Sequence, residues 1–195
     1  GADVLVENFS AGVMDRLGLG YEACHALNPK LIYCCVAAYS RDGAYKDRLG
    51  FDPIAQVESG FVSMNGYADR EGVRASSPVM DISTAFMTSN AVLGALVARD
   101  RLGNGTGGGQ RVEVSLFDTA VLMAGWGTMQ QLFTGDDPQR NGNTSPDTSP
   151  SGVFQASDKP FYINSGNDKV YQRMVVQVLE RPDLAEHPDY LSPTL

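Results

Sequence analysis

The chain has 195 residues, 43% hydrophobic and 19% charged, with a formal net charge of −8. That length suffices for one substantial core, or for one domain and part of another. The acidic balance argues against a general nucleic-acid or anionic-membrane surface, though one phosphorylated ligand needs only a local cluster of cations.

The N-terminal half reads in chain order as strand, helix, strand. Asp3–Glu7 is a short apolar run followed by Gly12 and a helical pattern through Leu17. A second helical piece spans Tyr21–Leu27, Asn28-Pro29 breaks it, and Leu31–Val36 is a second apolar strand. Short breaks between such elements predict an α/β fold with a parallel sheet. Parallel sheets bind ligands beyond the carboxyl ends of their strands, which makes Glu7–Ser10 and Ala37–Arg41 candidate ligand loops. A loop rich in Gly, Tyr and charge covers Tyr39–Gly50; Pro53–Val62 is a helix ending near Gly60, and Tyr67–Ser77 is a polar loop.

From Asp81 to Arg101 apolar residues recur with a period near 3.6, and Arg99 and Arg101 close the pattern as the helix dipole favours. The Gly-rich stretch Gly103–Gln110 then leads to a strand at Val112–Leu116 and a long helix at Phe117–Phe133. This stretch runs from helix to strand and lacks a Gly-Lys-Ser/Thr ending, so it is a connection and not a phosphate loop. Thr134–Ser151 is a linker or wrapping loop. Gly152–Gln155 and Pro160–Asn164 pair as a hairpin, Tyr171–Leu179 is a helix, and Pro182–Leu195 is irregular. Both ends are abrupt, which reads as an interior segment of a longer polypeptide.

Few residues invite chemistry. Cys24, Cys34 and Cys35 are an odd set with one adjacent pair, which suits burial in a reducing, cytoplasmic setting better than a disulfide framework. His25 and His187 are isolated and no cluster has metal-ligand spacing, so no metal is expected. No apolar run approaches the roughly 20 residues of a membrane span, and no signal-peptide pattern opens the chain. Asp118 reads as the cap of the helix that follows it, and Asp52 as a helix-start residue. Arg16 is either a solvated helix charge or a cation for phosphate. Asp81 follows the extended run Ser77-Pro78-Val79-Met80 at a helix start, so it is either an N-cap or an ionised, positioned nucleophile.

The chain also resembles the family III CoA-transferases. The resemblance lies in Ala2-Asp3-Val4-Leu5-Val6-Glu7-Asn8-Phe9, in Arg16-Leu17-Gly18, in Gly50-Phe51-Asp52-Pro53, and in Pro78-Val79-Met80-Asp81-Ile82. Gly109-Gln110-Arg111-Val112-Glu113-Val114-Ser115-Leu116-Phe117-Asp118 and Arg140-Asn141-Gly142-Asn143 continue it in order. Gly105–Gly108 lengthens a turn that is shorter in the family pattern.

The resemblance implies part of a Rossmann-like large domain with long helices over residues 1–135, a linker at 136–151, and the beginning of a small α+β domain at 152–195. It implies an interlocked homodimer that uses acyl-CoA and a carboxylic acid as substrates, with coenzyme A as the carrier; the acidic composition adds the expectation of no nucleic-acid or membrane partner. Asp81 matches the family's nucleophilic aspartate. Asn8, Phe9, Ser10, Arg16, Arg48, Leu49, Gly50 and Phe51 match positions that contact CoA. The implied chemistry is CoA transfer through an aspartyl anhydride and an aspartyl-CoA thioester, with a low pKa keeping Asp81 ionised. The racemases of the family carry a His where Phe51 stands, and Phe cannot move a proton, which favours transferase over 2-methylacyl-CoA racemase or epimerase. A catalytically silent fragment is the remaining alternative.

Overall fold

The computed structural model describes residues 1–102 and 107–190. Residues 103–106 of the Gly-rich connection, including part of the lengthened turn, and residues 191–195 of the irregular tail lie outside this description. The described chain divides into two compact units, one of Gly1–Met64 with Val73–Pro138, the other of Asn65–Gly72 with the chain from Gln139 onward.

The first unit is a mixed α/β assembly around three parallel strands in the order β1 (Val4–Glu7), β2 (Ile32–Ala37) and β3 (Arg111–Ser115). Val4 pairs with Ile32 and Glu7 with Cys35; Tyr33 pairs with Arg111 and Ala37 with Ser115. β2 is central, and its residues Ile32 through Cys35 are buried. This explains why they read as an unbroken apolar run, as strands covered on both faces do. Helices α1 (Val13–Arg16) and α2 (Tyr21–Leu27) supply Met14, Tyr21 and Cys24, which pack with Leu5, Leu31 and Tyr33.

On the other face lie α3 (Asp52–Glu58), α4 (Phe61–Met64), α5 (Val79–Val97) and α6 (Leu116–Met123). Ala55, Met80, Leu116 and Ala120 form their shared core, with Phe61 and Val79 against it. The helix expected over Pro53–Val62 is split into α3 and α4 by Gly60, whose φ of 82° is left-handed. The long helix expected over Phe117–Phe133 is likewise two, α6 and α7 (Gly125–Thr134), broken at Ala124. Gly125 and Gly127 weaken helix propensity there, and Gly127 lets α7 approach Met64 and Pro138 more closely than a Cβ would allow.

α5 starts two residues before Asp81 and ends in a π-helical turn at Ala98–Leu102. An 18-residue window of the helical span Val79–Arg101 has a mean hydropathy of 1.2 and, on length and composition alone, the helix is long and apolar enough to cross a membrane. The expectation that no segment reaches that threshold is therefore corrected. Interspersed Ser, Thr and Asn hide the apolar average, because they prevent any unbroken apolar run. In the described residues α5 packs on β2, β3, α3 and α6.

In the second unit β4 (Ser151–Gln155) and β5 (Pro160–Asn164) form the expected antiparallel hairpin, with Phe154 opposite Phe161. α8 spans Asp168–Arg173 and passes into a π-helical turn at Met174–Val178, so helical structure begins before the expected Tyr171. The Asn167 side chain starts it by accepting from the Val170 N–H. The polar run after Thr134 is ordered against the Tyr67 loop. Tyr67 bridges to Asn141, the Gly142 N–H donates to Gly66 O at 2.8 Å, and the Tyr67 ring covers Gly142.

Ahead of β3, the Gly109 N–H donates to Pro29 O, and a Cβ on Gly109 would lie 2.0 Å from Leu31 O. That neighbour is backbone at the start of the central strand and cannot turn aside. Gly109→Ala is expected to destabilise the full-length protein by about 3 kcal/mol, read as a lower midpoint in thermal or urea unfolding; an unchanged midpoint would contradict this packing.

Candidate active site

Two clefts adjoin at the carboxyl ends of β1 and β2. The first, about 540 Å³, is walled by Val6, Val36, Leu116 and Phe51, and by Asp81, Thr84, Ala85 and Thr88 of α5. The second, about 290 Å³, is lined by Asn8, Phe9 and Ser10 of the loop after β1 and by the segment from Val36 to Phe51, including Arg41, Lys46 and Arg48. Six residues line both clefts: Asn8, Val36, Ala37, Ala38, Gly50 and Phe51. The sequence-level site residues Asn8, Phe9, Ser10, Arg48, Leu49, Gly50 and Phe51 thus meet in one cleft, and Asp81 lies in the next. Arg16 is apart from both; it is exposed on α1 with its guanidinium folded over Gly12.

Asp81 is the third residue of α5, and Pro78 occupies the cap position without a side-chain bond, which corrects the N-cap reading. The capping acceptor comes from another helix. Asp52 is buried at the start of α3, and its Oδ2 accepts from the N–H of Met80 at 2.7 Å and of Asp81 at 3.3 Å. The Gln56 amide donates to Asp52 Oδ1, and Gln56 Oε1 accepts from the Ala75 N–H at 2.8 Å, tying the approach to α5 into the same network. Asp118 is similarly not a cap. Ser115 Oγ accepts from its N–H at 3.0 Å and caps α6.

The electrostatic expectation for Asp81 is also reversed. Partial desolvation of its carboxyl, and then the negative charge of Asp52, raise its pKa above the ordinary 3.8. Both act against the stabilisation that a helix N-terminus gives a carboxylate. The carboxylate is thus less comfortable ionised than a free aspartate, which increases its basicity toward an electrophilic carbonyl.

The walls of the second cleft are held by ion pairs. The Arg41 guanidinium lies 3.6 Å from Glu7 Oε1 and donates to Phe9 O, while the Arg41 N–H donates to Glu113 Oε1 at 2.6 Å. Asn8 Nδ2 donates to Val36 O at 3.0 Å, so its amide fastens the loop after β1 to β2. Arg48 pairs with Glu58 and lies over the rings of Tyr39 and Tyr45, 4.8 and 4.7 Å from their centroids. The Tyr39 hydroxyl donates to Glu58 Oε2 at 2.6 Å. These two hydrogen bonds, from Tyr39 first and then Arg48, hold the Glu58 pKa below its ordinary value. Gly50 fits between Ala38 and Tyr39, where a Cβ would come within 3.2 Å of the ring.

Neither adjacent cysteine offers a second nucleophile. All three cysteines are free and buried, and burial together with Glu7 pushes the Cys35 thiol up to about 12. Among the described residues no group of three or more His, Cys, Asp or Glu side chains is placed to hold a metal ion.

The pattern of CoA-transferase family III matches residues 1–194. This chain belongs to CoA-transferase family III. Its family relatives include an acyl-CoA transferase of Fusarium pseudograminearum, 39% identical over 87% of this chain and 36% of the relative. An acetyl-CoA:oxalate CoA-transferase of Acetobacter aceti is 36% identical over 97% of this chain and 48% of its own length. The crystal structure of a CAIB/BAIF family protein from Brucella suis superposes with a TM-score of 0.80 at 33% identity, covering 98% of this chain and 50% of that one. The chain spans about half the length, or less, of the curated relatives it matches.

Several features of this family III site were not singled out from sequence for their roles: Arg41, Lys46, Glu58 and the capping function of Asp52. Thr84, Ala85 and Thr88 were within reach of sequence reasoning, because they stand three, four and seven residues after Asp81 and so share its helix face.

Two outcomes test this geometry in the full-length protein. Asp52→Ala leaves the buried Met80 N–H, the part-buried Asp81 N–H and the Gln56 amide short of an acceptor, and is expected to cost about 2 kcal/mol in unfolding measurements; full retention of stability would contradict the cap. A raised folded-state pKa means that ionised Asp81 opposes folding. Its stability contribution is full below the ordinary 3.8 and is lost as pH rises through the higher folded value. Asp81→Asn is therefore expected to raise the melting temperature at pH 7, with the gain shrinking as pH falls toward 3.8.

Proposed function

We propose that the protein transfers CoA between an acyl-CoA donor and a carboxylic acid acceptor, with Asp81 as the covalent nucleophile. The observation that carries this reading is the continuity of the two clefts. A cation-lined cleft for an anionic end and a largely apolar cleft holding one carboxylate share six wall residues, which suits a long ligand with phosphates at one end and a thioester at the other. The family III relatives named for acetyl-CoA:oxalate and succinate–glutarate CoA transfer support the same class of reaction.

In this reading the Asp81 carboxylate attacks the thioester carbonyl, the C–S bond breaks, and a mixed anhydride and CoA thiolate result. The thiolate attacks the Asp81 carbonyl of the anhydride, releasing the donor acid and leaving an aspartyl-CoA thioester. The acceptor carboxylate then attacks that thioester, giving a second anhydride and thiolate. Attack of the thiolate on the acceptor's carbonyl yields the new acyl-CoA and returns Asp81 as a carboxylate. Splitting one transfer into four acyl exchanges is covalent catalysis. Asp52 supports it by fixing the backbone of Asp81 and by disfavouring its ground-state charge.

Phe51, exposed at the junction of the clefts, offers an apolar wall to the ligand and no proton, which supports transfer over racemisation. We propose with it a Rossmann-like large domain and an interlocked homodimer, as the family resemblance implies.

Asp81→Ala in the full-length protein is expected to reduce CoA transfer at least about a thousandfold while CoA still binds. Transfer at the wild-type rate would overturn the reading, and deuterium uptake at the α-carbon of a 2-methylacyl-CoA without acyl exchange would replace it with racemisation.

A further inference from the structure

Beside the second cleft lies a hollow of about 280 Å³, and Ser10, Ala11, Arg41, Lys46 and Asp47 line both. Four cations border these two spaces: Arg41, Lys46, Arg48 and Arg111. Three are committed. Arg41 is paired with Glu7, Arg48 with Glu58, and Arg111 with Glu113 at 2.9 Å. Lys46 alone of the four has no carboxylate at ion-pair distance among the described residues, and its backbone N–H is anchored to Gly43 O at 3.2 Å.

We infer that Lys46 is the cation that receives the phosphate-bearing end of the acyl-CoA, and that Arg48 is a positioning residue that holds the cleft wall. This rests on the CoA-transferase reading of the same site. For Arg48 to reach a phosphate it must leave Glu58 and the rings of Tyr39 and Tyr45. Lys46 gives up no ion pair. Its ammonium acts as a mobile point charge on a flexible stem, which suits a phosphate whose position is set by the rest of the ligand. Asp42 and Asp47 share the rim, so the attraction is local and sensitive to salt.

The test compares full-length wild type, Lys46→Ala and Arg48→Ala with acyl-CoA and with the corresponding acyl-pantetheine, which lacks the nucleotide phosphates. Lys46→Ala is expected to lower kcat/KM for acyl-CoA about tenfold, through KM and with kcat held. It should leave kcat/KM for acyl-pantetheine as in the wild type and flatten the salt dependence. Arg48→Ala is expected to impair both substrates, because it loosens the wall they share. Unchanged kinetics of Lys46→Ala with acyl-CoA, or an equal loss with both substrates, would overturn the assignment while CoA transfer by the wild type stands. Wild-type protein that neither binds CoA in calorimetry nor transfers it would overturn the underlying reading, and the Lys46 assignment with it.

Discussion

A single buried carboxylate organises this site. Asp52, at the start of α3, accepts from the two N–H groups that precede and include the nucleophile candidate at the start of α5. A helix leaves its first N–H groups without partners, and an end buried without an acceptor is costly. Here the acceptor comes from a different helix, so the capping bond is also a tertiary bond. It joins α3 to α5, and through Gln56 it reaches the backbone at Ala75. Desolvation first, and then the same charge beside Asp81, raise its pKa. The placement of the carboxylate and part of its electrostatics thus depend on one neighbour.

The rest of the site follows from the parallel sheet. Strands that run the same way bring their following loops to one end, so the chain after Glu7 and the chain after Ala37 are neighbours. Their contact is specific. Asn8 fastens to Val36 O, and Arg41 joins Glu7, Phe9 O and Glu113. These bonds use polar side chains as structural ties, and they leave the cleft with apolar and backbone surfaces where a ligand's middle section would lie. Ion pairs in this setting gain from preorganisation more than from net stability, since part of the Coulomb attraction is offset by desolvation.

Much of this was legible in the sequence where the signal is local. The unbroken apolar run before Cys35 marked a strand covered on both faces, the 3.6 period marked α5, and the order of family motifs located the loop at Asn8 and the carboxylate at Asp81. What could not be read depends on pairs distant in the chain. Nothing local marks Asp52 as the acceptor for residues 28 and 29 positions later, so the sequence left an N-cap open as one reading of Asp81, and the expected low pKa took no account of Asp52 or of desolvation. Arg48 matched a ligand-contacting position, yet its guanidinium is engaged by Glu58 and two tyrosines. Lys46 had no motif to announce it. The break at Ala124 was hidden because apolar periodicity continues across it, while Gly127, which permits close approach to Met64, carries no periodic signal.

The central claim is that Asp81 becomes acylated and then thioesterified during turnover. The most direct measurement is mass spectrometry of the full-length protein quenched with hydroxylamine while it turns over an acyl-CoA, followed by peptide mapping. An aspartyl anhydride or thioester predicts a hydroxamate on the peptide containing Asp81, formed only when acyl-CoA is present. A hydroxamate on another carboxylate, or an unmodified Asp81 peptide under conditions of sustained transfer, would contradict it.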